Sequence, residues 1–158
     1  MIVIRPEVIL EVLLSRFPGT HALAAWGETS IFYNPGHVLP RGVYFATVKE
    51  KDGDNDRASN LSREGIFRFN VGTTRLLFEE RFGGPPSRPA KGQAIQGPWD
   101  FTGLDIVTPH PVYGWMSWVS VLNPSEDTMN DLDPMIRAAF NKAKAAFEKK
   151  AGSKSSRS

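Results

Sequence analysis

His110 stands between two prolines in Thr-Pro-His-Pro-Val-Tyr-Gly-Trp, residues 108–115, and its neighbours prepare it for chemistry better than those of any other side chain in the sequence. Pro109 and Pro111 restrict their own φ and bias the residue before each towards extended backbone, so His110 has few backbone states to lose when it engages a partner. An imidazole held in this way suits general acid–base catalysis once a carboxylate orients it, and Asp105 and Asp100 are the nearby candidates. The same stiffness suits a structural corner, in which the ring caps a strand end or bonds a backbone carbonyl.

A second set lies in Gly-Ile-Phe-Arg-Phe-Asn-Val-Gly, residues 65–72. Period-two alternation puts Phe67, Phe69 and Val71 on a core face and leaves Arg68 and Asn70 on the other, where a cation and an amide need solvent, a partner or a ligand. Arg68 is suited to pair with an anion, Asn70 and His110 to supply hydrogen bonds, and Tyr113 with Trp115 to stack on or wall an aromatic ligand. These five residues form the candidate ligand-binding set, since a concave aromatic pocket with a few convergent polar groups is the usual form of a small-molecule site.

Other chemistries lack their residues. Asp52, Asp54 and Asp56 imitate the opening of a calcium loop, but Arg57 falls where the turn glycine belongs and Arg63 where the bidentate acid belongs, so the stretch reads as a solvated turn. His21, His37 and His110 are far apart and show no ligand spacing, and cysteine is absent, so no metal and no cofactor are expected. No nucleophile elbow, P-loop, dinucleotide-binding glycine pattern or H-E-x-x-H is present.

The elements that must position these residues can be read in order. Pro6 at a first helical turn, followed by Val8, Ile9, Val12 and Leu13, predicts a helix over Pro6–Arg16. Residues 21–36 predict two short strands around Gly27 and Glu28, closed by Asn-Pro-Gly. A third strand at residues 42–50 places Val43, Phe45 and Thr47 on one face and Tyr44, Ala46 and Val48 on the other. Residues 65–72 form the fourth strand, and residues 73–84 a short helix with a threonine cap, a stripe of Leu77, Phe78 and Phe82, and Gly83 as its stop. Residues 83–103, rich in proline and glycine, are long for a loop and read either as a functional cover or as a locally mobile stretch; they are the cover available for the sheet face away from the helices. The last strand is expected over residues 113–122. Asn123 is then expected to cap one helix, with Glu126 completing a capping box, and Asp133-Pro134 to start another that buries Met135, Ile136, Ala139, Phe140, Ala143 and Phe147. The resulting order α-β-β-β-β-α-β-α implies an α+β domain: an antiparallel sheet of about five strands with helices packed mainly on one face.

At 158 residues, 41% apolar and 23% charged, the chain suits one folded domain, expected over residues 1–148. The pI near 9.0 does not imply a nucleic-acid surface. Lys149, Lys150, Lys154 and Arg157 fall in the last ten residues, which hold no acid, and they outweigh the whole formal excess of +2. Residues 149–158 are therefore expected to be a disordered basic tail on a slightly acidic body, with nucleic acid an improbable partner. No run of 18 uncharged apolar residues suggests a membrane span, and the cysteine-free composition fits the cytoplasm.

The blocks Ala-Trp-Gly-Glu-Thr-Ser-Ile-Phe-Tyr-Asn-Pro, Ser-Asn-Leu-Ser-Arg-Glu-Gly-Ile-Phe-Arg-Phe-Asn-Val-Gly and Pro-His-Pro-Val-Tyr-Gly-Trp-Met-Ser-Trp-Val-Ser-Val-Leu-Asn-Pro-Ser, in this order, resemble a bacterial family of unknown function over residues 26–147. More distantly, the short Trp-Gly strand, meander and flanking helices are similar to the YjbR-like double-wing proteins. The resemblance to the bacterial family carries no assigned activity. The sequence thus points to a monomer or homodimer binding a small anionic or aromatic molecule, or a partner protein, in an aromatic cleft. The alternatives are an enzyme using His110 with Asp105, and an adaptor for protein or nucleic acid on the open sheet face.

Overall fold

The computed structural model describes residues 2–155. Helix α1 spans Pro6–Arg16; strands β1 (Thr20–Ala25), β2 (Glu28–Tyr33), β3 (Val43–Lys49) and β4 (Arg68–Gly72) follow; α2 spans Arg75–Phe82; β5 (Thr108–Pro109) and β6 (Trp118–Leu122) precede α3 (Glu126–Ser155). The six strands form one antiparallel sheet in the order β1-β2-β3-β4-β6-β5. The fold is α+β as expected, with one more strand, the two-residue β5 on the edge.

Alternation decides which side chains meet the helices. Ile31 and Tyr33, Ala46 and Val48, Phe69 and Val71, and Val119 and Val121 join Ile9 and Leu13 of α1, Phe78 of α2, and Leu132, Met135, Ile136, Ala139, Ala143 and Phe147 of α3 in one core. An aromatic cluster packs along it: the partly buried Phe140 stacks on Phe17 at 4.5 Å between centroids and meets Phe45 and Tyr33 edge-on, geometries that favour ring pairs beyond the area they bury. In α1 only one stripe is core, since Val8 and Val12 are exposed while Ile9 and Leu13 are buried.

Alternation fails once, in β3. Ile31 pairs with Ala46 but Phe32 pairs with Tyr44, which leaves Phe45 as an extra residue in the strand. This β-bulge turns Phe45 and Ala46 both towards the core and keeps Tyr44 and Thr47 together on the opposite face. The expected division of β3, with Phe45 beside Thr47 and Tyr44 beside Val48, is therefore corrected.

The C-terminal half departs from expectation in two further ways. Residues 113–116 are not strand: Tyr113 precedes a single 3-10 turn, Gly114–Met116, and Ser117 takes a left-handed conformation (φ 69°) before β6 begins. One helix also replaces the expected two. Asn123, at φ 45°, does not cap it. Its side chain instead accepts from the Phe67 N–H and donates to the Gly65 carbonyl, both at 2.9 Å, and Ser125 caps α3 by accepting from the Thr128 N–H. Pro134 sits inside α3, where it removes a helical hydrogen bond, but Leu132, Met135 and Ile136 on either side of it are all buried, and that packing carries the helix through. The helix also continues through residues 149–155, expected in the tail, with Ala151 packed against the core; residues 156–158 lie outside the described residues.

Candidate functional site

The sheet face away from the helices carries a polar stripe. Thr47 lies opposite Asn70, Lys49 opposite Arg68, and Ser120 opposite Asn70 on the far side. At its centre Arg68 has no solvent exposure at all, and such a cation is tolerable only if its charge and its donors are met. Both are. Asp56 takes the guanidinium in a two-pronged ion pair, one prong at 2.9 Å, Ser59 accepts at 2.9 Å, and Asn70 Oδ1 accepts from Nε at 2.8 Å. Asn70 in turn donates to Thr47 and accepts from Ser120. Among the described residues no buried side-chain nitrogen or oxygen lacks a partner. Burial works to raise the Asp56 carboxyl, but the hydrogen bond and charge of Arg68 overcome it and hold it below the ordinary carboxylate range.

Asp56 thus has a structural task that the calcium-loop comparison concealed. The loop after β3 folds back over Arg68: Asp52 accepts from the Leu61 N–H, a Gly53–Asp56 bridge tightens the turn, and Leu61 is buried. This loop, and not residues 83–103, covers Arg68. A buried strand arginine implies a buried acid, but nothing in the sequence says which of three alternating aspartates turns inward.

His110 is also buried and follows the structural alternative. Its Nδ1 accepts from the Val112 and Tyr113 N–H groups, both at 3.0 Å, so the ring caps the turn that Pro111 begins, as an Asx side chain would. Nε2 lies 3.2 Å from Arg68 Nη2, itself only a donor, so both ring nitrogens face donors and a second proton on the ring is disfavoured. Burial, then the Arg68 charge, push the imidazole well below its ordinary pKa; Asp56 pulls the other way without prevailing, and Lys49 adds to the lowering. Neither expected carboxylate orients the ring. Asp105 Oδ1 accepts from the Ser125 N–H at 2.8 Å, and Asp100 is turned to its own Thr102.

The expected aromatic cleft is divided. Residues 83–103 clamp the His110 turn from outside, where the Ile95 N–H bonds the Pro111 carbonyl and Ile95 and Pro86 close on Gly114. Trp115 stacks under Arg88 there, 4.9 Å from guanidinium to ring centroid, and lines a depression of about 330 Å³ with Tyr113, Lys91 and Asn55. On the sheet itself a smaller cleft of about 170 Å³ is lined by Glu28, Ser30, Tyr44, Thr47, His110, Tyr113 and Trp118. Tyr113 borders both; Arg68 and Asn70 line neither, lying beneath the second.

The rings around that smaller cleft are tilted to one another: Tyr44 to Trp118 by 35° at 5.5 Å, and His110 to Tyr113 by 47° at 5.0 Å. Trp118 lies across Gly72, where a Cβ would come within 2.6 Å of the indole, so glycine is required at that position for the ring to reach its place. Glu28, opposite Lys49 in the sheet and 3.9 Å from its Nζ, supplies the acid at the rim. The Tyr44 phenol is pushed above its ordinary pKa by burial, by Tyr113 and by Glu28. A model of a family of unknown function, DUF6194, matches residues 4–152. The chain belongs to that family. No curated protein and no solved structure matches it.

Of the residues lining this cleft, the sequence of this family member singles out His110 and Tyr113 but not Glu28, Ser30, Tyr44, Thr47 or Trp118. Tyr44 and Thr47 share a face only through the bulge, which composition does not announce. The pairing of β2 with β3 carries the only signal for Glu28, and it emerges only once the strand ends are placed. Among the described residues no group of three metal-ligating side chains gathers, although the fold brings the His21 and His37 rings to 5.4 Å.

Proposed function

We propose that this domain binds a small molecule in the cleft bordered by Tyr44, Tyr113 and Trp118. The supporting observation is the contrast on one sheet face. The polar groups at its centre are all satisfied by one another, whereas Tyr44 and Tyr113, directly above them, remain 50% and 47% exposed around a concavity. Large rings left half open on a rigid, internally bonded floor form a preorganised surface, which lowers the ordering cost of binding.

Binding is favoured over proton transfer by the state of His110. Its Nδ1 is taken by two amides and its Nε2 faces the buried Arg68 guanidinium, so neither ring nitrogen is free to exchange a proton with a substrate. Among the described residues no helix is long and apolar enough to cross a membrane. We take the compartment to be the cytoplasm, since a chain without cysteine needs no oxidising surroundings.

A fragment library followed by amide NMR tests the reading. Hits are expected to shift resonances of residues 28–30, 44–47 and 110–118, and Tyr113→Ala is expected to weaken them by about tenfold while the chain stays folded. Hits gathered around Trp115 and Arg88, or none, would move or remove the site.

A further inference from the structure

We infer that the cleft's ligand is a small organic cation, an amine or quaternary ammonium compound, held between the faces of Tyr44, Tyr113 and Trp118 with Glu28 as its counter-charge. The inference rests on the cleft being the binding site and goes further by naming the ligand's chemistry.

Charge decides first. Glu28 is the only formally charged residue lining the cleft, and it is negative. Neither of the two cations nearby lines the cleft. Arg68 is wholly buried beneath and neutralised by Asp56; Lys49, 8% exposed and outside the wall, stands 3.9 Å from Glu28 and offsets part of its charge from behind, which leaves the carboxylate as the charge the cleft presents. His110 stays neutral because protonating Nδ1 would set it against two amide donors. An anion entering here would meet a carboxylate and no accessible cation, so the expectation of an anionic ligand paired with Arg68 is replaced.

Shape and surface agree. Three electron-rich rings border a space of about 170 Å³, large enough for a trimethylammonium group and a short chain and small for a fused-ring molecule. Rings set at angles around a concavity are how proteins recognise alkylammonium groups, whose diffuse charge is drawn to the negative ring faces while the methyls fill the apolar wall. Ser30 and Thr47 offer hydroxyls at the edge, so a cation carrying an oxygen a few bonds away matches better than a bare one.

Choline, its neutral carbon isostere with tert-butyl in place of trimethylammonium, and benzoate are the probes, titrated at constant ionic strength and followed by amide and indole NMR. Choline is expected to shift the Trp118 indole and residues 28–30, and to bind about tenfold more tightly than the isostere. Glu28→Gln, at a part-exposed rim position, is expected to erase most of that preference without unfolding the chain. Tyr44→Leu, which keeps bulk but removes the ring face, is expected to weaken choline by a few-fold, roughly the strength of one cation–π contact. If the isostere or benzoate binds the same residues as tightly as choline, the cation is overturned and the cleft stands. If none of the three perturbs the cleft, and the fragment library finds nothing there, both readings fall together.

Discussion

A guanidinium with no solvent exposure makes Asp56 worth far more than its loop position suggests. Asp56→Asn leaves the Arg68 charge buried beside a neutral amide, and the expected loss is about 3–5 kcal/mol of unfolding free energy by urea titration. Asp54→Asn, two residues earlier on a fully exposed carboxylate, is expected to leave the urea midpoint unchanged. His110 adds a pH dependence of definite sign. Its folded pKa lies well below 6.5, so between that value and the folded pKa the unfolded chain binds the extra proton. Its contribution is complete above pH 6.5 and drains as pH falls, by up to about 1.4 kcal/mol per pH unit. His110→Asn keeps an acceptor for the Val112 and Tyr113 amides and does not titrate. Unfolding free energies at about pH 7.5 and about pH 5.5 are expected to differ markedly less in the variant. The His21 imidazole, lowered by burial and by His37, acts alike in both proteins and cancels. Equal pH slopes would refute the buried neutral ring.

At the scale of elements, the cleft wall depends on one missing side chain. Gly72→Ala sets a methyl into the Trp118 indole without disturbing the β4 backbone, and the expected cost is about 1–3 kcal/mol of overpacking together with a displaced indole resonance. An unmoved resonance would mean that Trp118 does not rest on β4. The elements themselves were largely legible. Pro6 and the stripe behind it mark α1, Thr74 and Gly83 bracket α2, and period-two alternation marks β4, because these signals are local. The failures share a cause. Pro134 reads as a helix start because its cost is local, while the burial on either side that offsets it is tertiary. Asn123 reads as a cap because nothing local reveals that its amide is occupied by residues 65 and 67.

Across the whole molecule the two faces of one sheet do different work. The helix side is an aromatic and aliphatic core; the other is a closed polar network roofed by residues 52–61 and the His110 turn, with the cleft above it. Residues of the proposed cleft were legible where identity alone marks them, as with His110 and Tyr113, and illegible where long-range pairing assembles them, as with Glu28 and Trp118. The bulge in β3 separates the fates of the two faces. Deleting residue 45 would restore regular pairing and leave Tyr44 and Thr47 where they are, yet it would take from the core the ring on which Phe17 and Phe140 pack. In a lineage of such chains, length variation at this point would be felt as lost stability and not as altered ligand choice, so core and cleft can drift independently although they share a strand.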